Sequence, residues 1–469
     1  MQSLIKFLFL PSLKPEIATA RKPASHTADA GSGPLSFLAL ETIGAALALN
    51  YGLANTLWAI LFVGTVIFLL GFSIARYIAR YRFDMYPLAI GTGPDQHITI
   101  ITAIIYMACM FAFLAIEAAI IAIALRIIVD WPLPLCYALA ALIILPITIR
   151  AISCLARLPH WTHPLWLFLI VLPFVGIALH EPAIRNAFTA LAQPDAHNDD
   201  FRMLLFAAAS TSIFPLLAQI IRQVSCLRLL PPPWAGKQRV WWTAVIVIGP
   251  SWIVFAMLKM AGGALLVRVA LALATPEPMA LTAPYVYFAM YCDVLGPPGL
   301  TAALTALLVA FSYIRIDTNS MHHDAPARPG FFNRAAYSRP IGLTWLIFTV
   351  FIAALSMTLG FFAAFGQVLG ILGIATAAWI GALTSSLAVD KVRAMSTWGL
   401  GGLEQNPSRG FNATLAAMWL SLVSGLLAWT GLFGETAHVF APCVALVLSL
   451  LLMPLLTGIC RYRCLLPQQ

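Results

Sequence analysis

The feature of this sequence that most constrains its fold is a succession of apolar runs, each about as long as a lipid bilayer is thick. A helix that crosses a bilayer needs about 20 apolar residues. Hydrophobic residues make up 61% of the 469 residues and charged residues only 10%, far below the roughly 25% that is usual in soluble domains. Open sheet edges find no partner in lipid, and the runs are too long for barrel strands. The sequence therefore predicts an all-α polytopic membrane protein.

Twelve apolar runs can be traced, and loops rich in proline, glycine and charge separate them. They predict about twelve transmembrane helices in a single domain, about 35–460. Residues 1–34 and 461–469 are then expected to be tails. The runs lie at about 35–53, 55–76, 99–125, 133–149, 164–180, 202–221, 241–262, 297–316, 341–360, 362–387, 412–432 and 438–459.

The distribution of basic residues predicts the orientation of the chain. With twelve spans, both tails and the loops after the even-numbered spans share one side, and that side holds 22 of the 27 Lys and Arg residues. The positive-inside rule assigns this side to the cytoplasm. We therefore expect a bacterial-type cytoplasmic (inner) membrane protein with both termini cytoplasmic, whose net charge of +9 reflects topology and no nucleic-acid partner. The remaining five basic residues are assigned to the outer side: Arg126, Arg185, Arg202, Lys259 and Arg268.

Two acidic residues lie inside the predicted spans. Glu117 is deep in the third span (FAFLAIEAAIIAIAL), and Glu41 is nearer one end of the first (SFLALETIGAA). Ionisable groups are costly in a bilayer and face the helix bundle or a water-filled cavity. Glu117 is therefore a candidate substrate or proton site. The structural alternative for each carboxyl is a hydrogen bond to another helix.

Three further polar residues lie at the inner end of the eighth span, in the stretch YIRIDTNSMHHD. Arg315 and Asn319 are four residues apart and share a helix face, whereas Asp317 lies off it. This face either lines a cavity or is an ordinary cytoplasmic helix exit with a snorkelling arginine.

Two spans contain points at which a helix can be interrupted. The sixth span has a run of small and hydroxyl residues, Ala207–Ser212, followed by Pro215. A proline in mid-span leaves a backbone carbonyl without its helical donor. In the first span, Gly44 is the corresponding weak point. Interrupted helices in equivalent positions of two halves indicate a midplane binding site in transporters.

Four stretches together resemble the purine–cytosine permease family of nucleobase–cation symporters, including the permease-like membrane modules of some sensor kinases. Phe113–Glu117 is similar to the third-span motif of the family. Ala207–Arg222 resembles its broken sixth helix, Ile316–Ser320 its eighth-span motif, and Leu369–Asp390 its tenth-span stretch.

The resemblance implies a fold and a set of site residues. The fold is the LeuT type, with two inverted five-helix repeats (about 35–180 and 202–387) and two extra C-terminal helices (about 412–459). The implied function is a permease that moves a small heterocyclic solute by alternating access. The ring would stack on an aromatic residue and its edge would bond an amide or carboxyl. The implied substrate-binding residues are Phe113, Glu117, Gly44, Ser210, Thr211, Ser212, Phe214 and Asn319.

The eighth span departs from the pattern of sodium-dependent relatives. They carry small hydroxyl residues one to two turns before the asparagine, where this chain has Tyr313 and Ile314. Sodium is therefore doubtful as a coupling ion. Arg315 could supply fixed positive charge in its place, and with Asp317 it is a candidate for proton coupling.

Other functions compete with transport. A transporter-like sensor that signals through a separate partner fits the same residues. A membrane enzyme is disfavoured, because a loop such as His322–Asp324 has no second ligand pair fixed nearby. The sequence also has no Gly-rich phosphate loop, which argues against ATP-driven transport. We also expect no cofactor and no metal. The expected partners are a small-molecule solute, the lipid bilayer and a proton.

Overall fold

The structure is a computed structural model, which describes residues 38–81, 96–140, 159–179, 201–224, 227, 230, 238–272, 283–324, 365–396 and 413–465. The predicted ninth span, 341–360, and the second half of the fourth lie outside these residues. Residues 133–140, the first half of the fourth span, are helical. The named helices are α1 (Leu38–Tyr51), α2 (Leu53–Tyr81), α3 (Gln96–Val129), α4 (Pro159–Leu179), α5 (Met203–Ile213), α6 (Gln219–Val224), α7 (Gln238–Ile248), α8 (Trp252–Ala272), α9 (Ala283–Leu295), α10 (Pro298–Asp324), α11 (Phe365–Ser396), α12 (Ala413–Trp429), α13 (Glu435–Val439) and α14 (Ala441–Leu465).

Several of these helices are long and apolar enough to cross a membrane. Among the described residues there are five such segments: Leu53–Arg80, Met203–Ile221, Gln238–Val269, Gly366–Val389 and Ala441–Ile459. Shorter apolar helices accompany them at Leu38–Tyr51, Pro164–Val175, Pro298–Ser312 and Ala413–Trp429.

Large apolar side chains cover the outside of the helix assembly. Trp58, Leu69, Leu258 and Leu455 are each more than half exposed, which would be unfavourable in water and is expected against lipid tails. Together with the five spanning segments, this apolar exterior describes a multi-pass membrane protein.

The helices pack in groups. α1, α2, α5 and α8 make their most extensive contacts with one another, and α3, α4 and α10 form a second group. α9 contacts members of both groups, and α11, α12 and α14 pack together beside the broken α5–α6 segment. The boundary between the first two groups is where α1 meets α3.

A close helix crossing joins α1 to α8 through a reciprocal pair of glycines. A Cβ atom at Gly44 would collide with the backbone of Met260, and one at Gly263 would collide with the backbone of Glu41. Backbones approach this closely only where side chains are absent, as is common between membrane helices. α1 and α8 are therefore held together along a direct backbone contact.

The predicted interruption of the sixth span is confirmed. The α-helical geometry of α5 gives way to a 3-10 helix, Phe214–Ala218, and returns in α6. Pro215 explains the change, since it has no N–H for a helical bond and its ring clashes with the carbonyl four residues earlier. Thr376 Oγ1 of α11 lies 3.3 Å from the Phe214 carbonyl oxygen and makes its shorter hydrogen bond, 2.9 Å, to the Leu372 carbonyl of its own helix.

The interruption predicted at Gly44 is wrong. α1 runs as an α-helix through this position, and the missing side chain serves the contact with Met260. A glycine in a membrane helix signals either a kink or a close crossing, and the sequence of one helix does not distinguish them.

Candidate functional site

A buried ion pair joins the two helices of the glycine crossing. Lys259 Nζ of α8 lies 3.2 Å from Glu41 Oε1 of α1, and the side chains are only 7% and 5% exposed. A single unpaired charge at this depth would cost several kcal/mol. Each group therefore depends on the other to stay charged inside the membrane.

Glu117 of α3 lies beside this pair. Its Oε1 accepts a hydrogen bond from the backbone N–H of Ala39, at 3.0 Å, and only 4% of the residue is exposed. Ala39 belongs to the first described turn of α1. The carboxyl faces the protein interior, as its position in an apolar run predicts, and it connects α3 to α1. We refer to Glu41, Glu117 and Lys259 as the charged cluster.

Two tyrosines of α9 close the cluster on one side. Tyr287 and Tyr291 are fully buried, and both interact electrostatically with Glu41. The Tyr291 hydroxyl donates to the Leu169 carbonyl of α4 at 2.6 Å. The Tyr287 hydroxyl and Glu41 Oε2 are both buried without a hydrogen-bond partner among the described residues, and the two side chains interact with each other.

An indole ring adds a further contact to Lys259. The ammonium lies 6.0 Å from the centre of the Trp166 ring, at the outer limit of a cation–π interaction. Trp166 Nε1 donates to Ser312 Oγ at 2.9 Å. This bond joins α4 to α10 and fixes the ring beside the cluster.

The hydroxyl segment, Ser210–Ser212 of α5, forms a second buried polar region. The Ser210 and Ser212 hydroxyls donate to carbonyls one turn earlier in the same helix, those of Phe206 and Ala208. The Thr211 hydroxyl donates to the Val439 carbonyl at 2.5 Å. All three hydroxyls therefore bond to protein backbone in this conformation.

The two aromatic candidates are both buried. Phe113 is 7% exposed and Phe214 1% exposed, and both belong to one continuous apolar core. Phe113 and Glu117 lie one helical turn apart on α3, so they share a face of that helix. The structure thus places an aromatic ring and a carboxyl side by side on the α3 face that meets α1.

The three eighth-span candidates are placed only by their backbone. Arg315, Asp317 and Asn319 lie in the last turns of α10, and their side chains are outside the part of the chain that the structure describes. Their roles as ion-coupling and substrate-binding residues remain predictions.

Lys259 is the site residue that the sequence analysis missed. It was assigned to the outer-side basic residues because it fits the alternation of loop charges. The overlooked signal is its position in the run WIVFAMLKMAGGALL, where a charged residue is as costly as Glu117 is in its own span. α9 was also missed, because 13 residues are too few to count as a span.

The chain was compared with known proteins and structures. No family model matches it, and neither does any curated protein. The inward-facing structure of Mhp1 matches with a TM-score of 0.59 and 15% identity, over 92% of this chain and 91% of Mhp1. Mhp1, a nucleobase-cation-symport-1 family transporter, also matches in a closed conformation with bromovinylhydantoin bound, with a TM-score of 0.60 and 14% identity over 96% of both chains. This chain has the fold of Mhp1.

A second transporter shows a more distant likeness. A mutant form of the Eremococcus coleocola manganese transporter matches with a TM-score of 0.50 and 15% identity, over 95% of this chain and 98% of the transporter. The predicted fold class, an all-α membrane protein of the LeuT type, is confirmed by the likeness to Mhp1, which spans nearly the whole of both chains. The resemblance seen in the sequence motifs is thus confirmed at the level of fold.

Proposed function

We propose that this protein is a secondary transporter that moves a small heterocyclic solute, such as a nucleobase or related compound, by alternating access. The observation that carries the proposal is the likeness to Mhp1, a transporter seen with a hydantoin bound, over 96% of both chains. A fold by itself hosts many functions, and the site must supply the rest of the argument.

The site residues suit a flat heterocycle. On α3, Phe113 offers an aromatic face one turn from Glu117, whose carboxyl can match a donor edge of a ring. Stacking on an aromatic side chain contributes about 1–3 kcal/mol per ring. In the proposed site Asn319 of α10 also bonds the edge of the ring.

The broken α5–α6 segment contributes backbone rather than hydroxyl groups. Pro215 removes the helical donor of the Thr211 carbonyl, and Gly373 of α11 packs so closely against this carbonyl and Phe214 that an added Cβ atom would lie 3.0 Å from the carbonyl oxygen. We assign the polar contacts of this segment to released carbonyls, because the hydroxyls of Ser210 and Ser212 bond within their own helix.

The proposal includes the membrane, the orientation of the chain and its internal repeats. The chain lies in the cytoplasmic (inner) membrane with both termini cytoplasmic. One repeat spans about 35–180, the second about 202–387, and two further helices lie at about 412–459.

A ligand screen followed by uptake tests this function. Purified protein is heated in the presence of purines, pyrimidines, hydantoins and amino acids, and one class is expected to raise the unfolding temperature, since a ligand of the native state stabilises it by mass action. The same compound, radiolabelled, is expected to enter proteoliposomes.

A matched pair of variants locates the ring. Phe113→Ala is expected to weaken binding by about 5–150-fold, the equivalent of one stacking contact. Phe168→Ala, at an exposed position of α4, is the control and is expected to leave affinity unchanged. Binding without uptake would favour the sensor alternative. If neither binding nor uptake is observed, the proposed transport function is wrong.

A further inference from the structure

The charged cluster contains two acids and one base. Glu41, Glu117 and Lys259 are all more than 90% buried, and if all three were ionised the cluster would carry a net charge of −1. Its described neighbours are the phenols of Tyr287 and Tyr291 on α9 and the indole of Trp166 on α4. None of these neighbours carries a formal charge at neutral pH.

Neutrality inside a membrane requires one more positive charge in this cluster. Burying an uncompensated ion is far more costly than binding a proton, so a buried carboxyl neutralises instead. Lys259 interacts with both carboxyls, but its ion pair at 3.2 Å is with Glu41, whereas the hydrogen bond to Glu117 comes from a neutral backbone N–H. Glu117 is therefore the carboxyl that takes the proton.

We propose that Lys259 is the built-in cation of the site and that its exchangeable ligand is a single proton held by Glu117. This inference rests on the proposed transport function and specifies its coupling. A proton from the aqueous side to which the site is open forms an O–H bond with a Glu117 carboxylate oxygen, and the same bond breaks on the other side. Electrons are neither gained nor lost, and Lys259 fills the electrostatic role of a bound metal cation.

The position of Glu117 links this proton to conformation. Glu41 and Lys259 belong to α1 and α8, which the glycine contacts of Gly44 and Gly263 hold together. Glu117 belongs to the other helix group, and its bond to Ala39 crosses the boundary between the groups. An ionised carboxylate accepts a stronger hydrogen bond than a neutral carboxyl, so protonation of Glu117 weakens this cross-boundary contact.

The first test counts protonated carboxyls without any substrate. Infrared spectra of the purified protein in lipid at neutral pH record the carbonyl absorption of buried COOH groups. The wild type is expected to show one such group, and Glu117→Gln none. Glu41→Gln is also expected to show none, because Lys259 then neutralises Glu117.

Replacing Lys259 is expected to raise the number of protonated carboxyl groups. Lys259→Met is expected to show two protonated groups, and the double variant Glu41→Gln/Lys259→Met one. The double variant also keeps the test informative if Lys259→Met fails to fold. Glu435→Gln, on the exposed α13, is the control and should match the wild type. A wild-type signal that is absent, or that persists in Glu117→Gln, would overturn the assignment.

The second test measures coupling in proteoliposomes with radiolabelled uracil, guanine and hydantoin as probes. An inward pH gradient is expected to drive accumulation and a sodium gradient is not. Glu117→Gln is expected to lose the accumulation driven by the pH gradient, and its affinity for the solute is expected to fall as well, because the same carboxyl binds the edge of the ring. Sodium-driven accumulation in the wild type would contradict a built-in cation. If no probe is transported but the expected number of protonated carboxyls is observed, the transport function is wrong and the proton site stands. If a probe is transported but the expected number is not observed, the proton site alone is wrong.

Discussion

The charged cluster and the hydroxyl segment are both buried polar regions inside an apolar protein, yet they are built differently. In the cluster, every described contact crosses from one helix to another: Lys259 to Glu41, and Ala39 to Glu117. In the hydroxyl segment, two of the three hydroxyls, those of Ser210 and Ser212, bond to carbonyls of their own helix, and only Thr211 bonds to another helix, α13. The difference teaches that buried polarity affects the arrangement of helices only where the partner lies on another helix.

The largest effect is expected when the ion pair between Lys259 and Glu41 is broken. Lys259→Met leaves Glu41 buried without its partner, and we expect a loss of about 3–5 kcal/mol in the free energy of unfolding. Unfolding of the purified protein in detergent measures this. The double variant Glu41→Gln/Lys259→Met is expected to recover most of the loss, and equal losses in the single and double variants would show that the pair itself contributes little.

The glycine crossing beneath the pair gives a smaller effect. Gly44→Ala pushes a methyl group into the backbone of Met260, and overpacking of this kind costs about 1–3 kcal/mol. Gly299→Ala on α10 is the matched control, because nothing lies within 4 Å of the added methyl, and it is expected to be neutral or slightly stabilising. Unfolding temperatures of the two variants should therefore move apart.

Ser312→Ala tests a side-chain bond between helices that involves no charge. It removes the acceptor of Trp166 Nε1, and we expect a loss of about 1 kcal/mol. Thr305→Ala, whose hydroxyl bonds one turn back along the same helix, is the control. The comparison between interhelical and local bonds would fail if both variants lost the same stability.

The hydroxyl segment should give the smallest change. Because the Ser210 hydroxyl only duplicates a bond to the Phe206 carbonyl of its own helix, Ser210→Ala is expected to alter the free energy of unfolding by less than about 0.5 kcal/mol. Binding of the solute, measured by thermal shift, is expected to be unchanged as well. A large loss of affinity would instead show that the Ser210 hydroxyl binds the substrate.

Some of this architecture could be predicted from the sequence because it depends on local properties. The length of apolar runs gives the helices, Pro215 gives the broken α5–α6 segment, and the cost of a charge in lipid turns Glu117 inward. These predictions need no knowledge of which helices are neighbours.

The remaining features depend on pairing between distant segments. The sequence places 217 residues between Glu41 and Lys259, and nothing in either apolar run identifies the other as its partner. Lys259 was assigned to the outer side because loop charges are counted by position along the chain. α9 is largely buried by its neighbours, although its 13 residues are too few for a membrane span.

The reciprocal glycines, Gly44 and Gly263, determine which amino-acid substitutions the two crossing helices tolerate. Most positions in the apolar helices accept exchanges among leucine, isoleucine, valine and methionine with little loss. At Gly44 and Gly263 even the smallest side chain meets backbone, so each of the other nineteen amino acids is expected to destabilise the crossing. In a saturation library selected for folded protein, these two codons should remain nearly invariant while the codons around them drift.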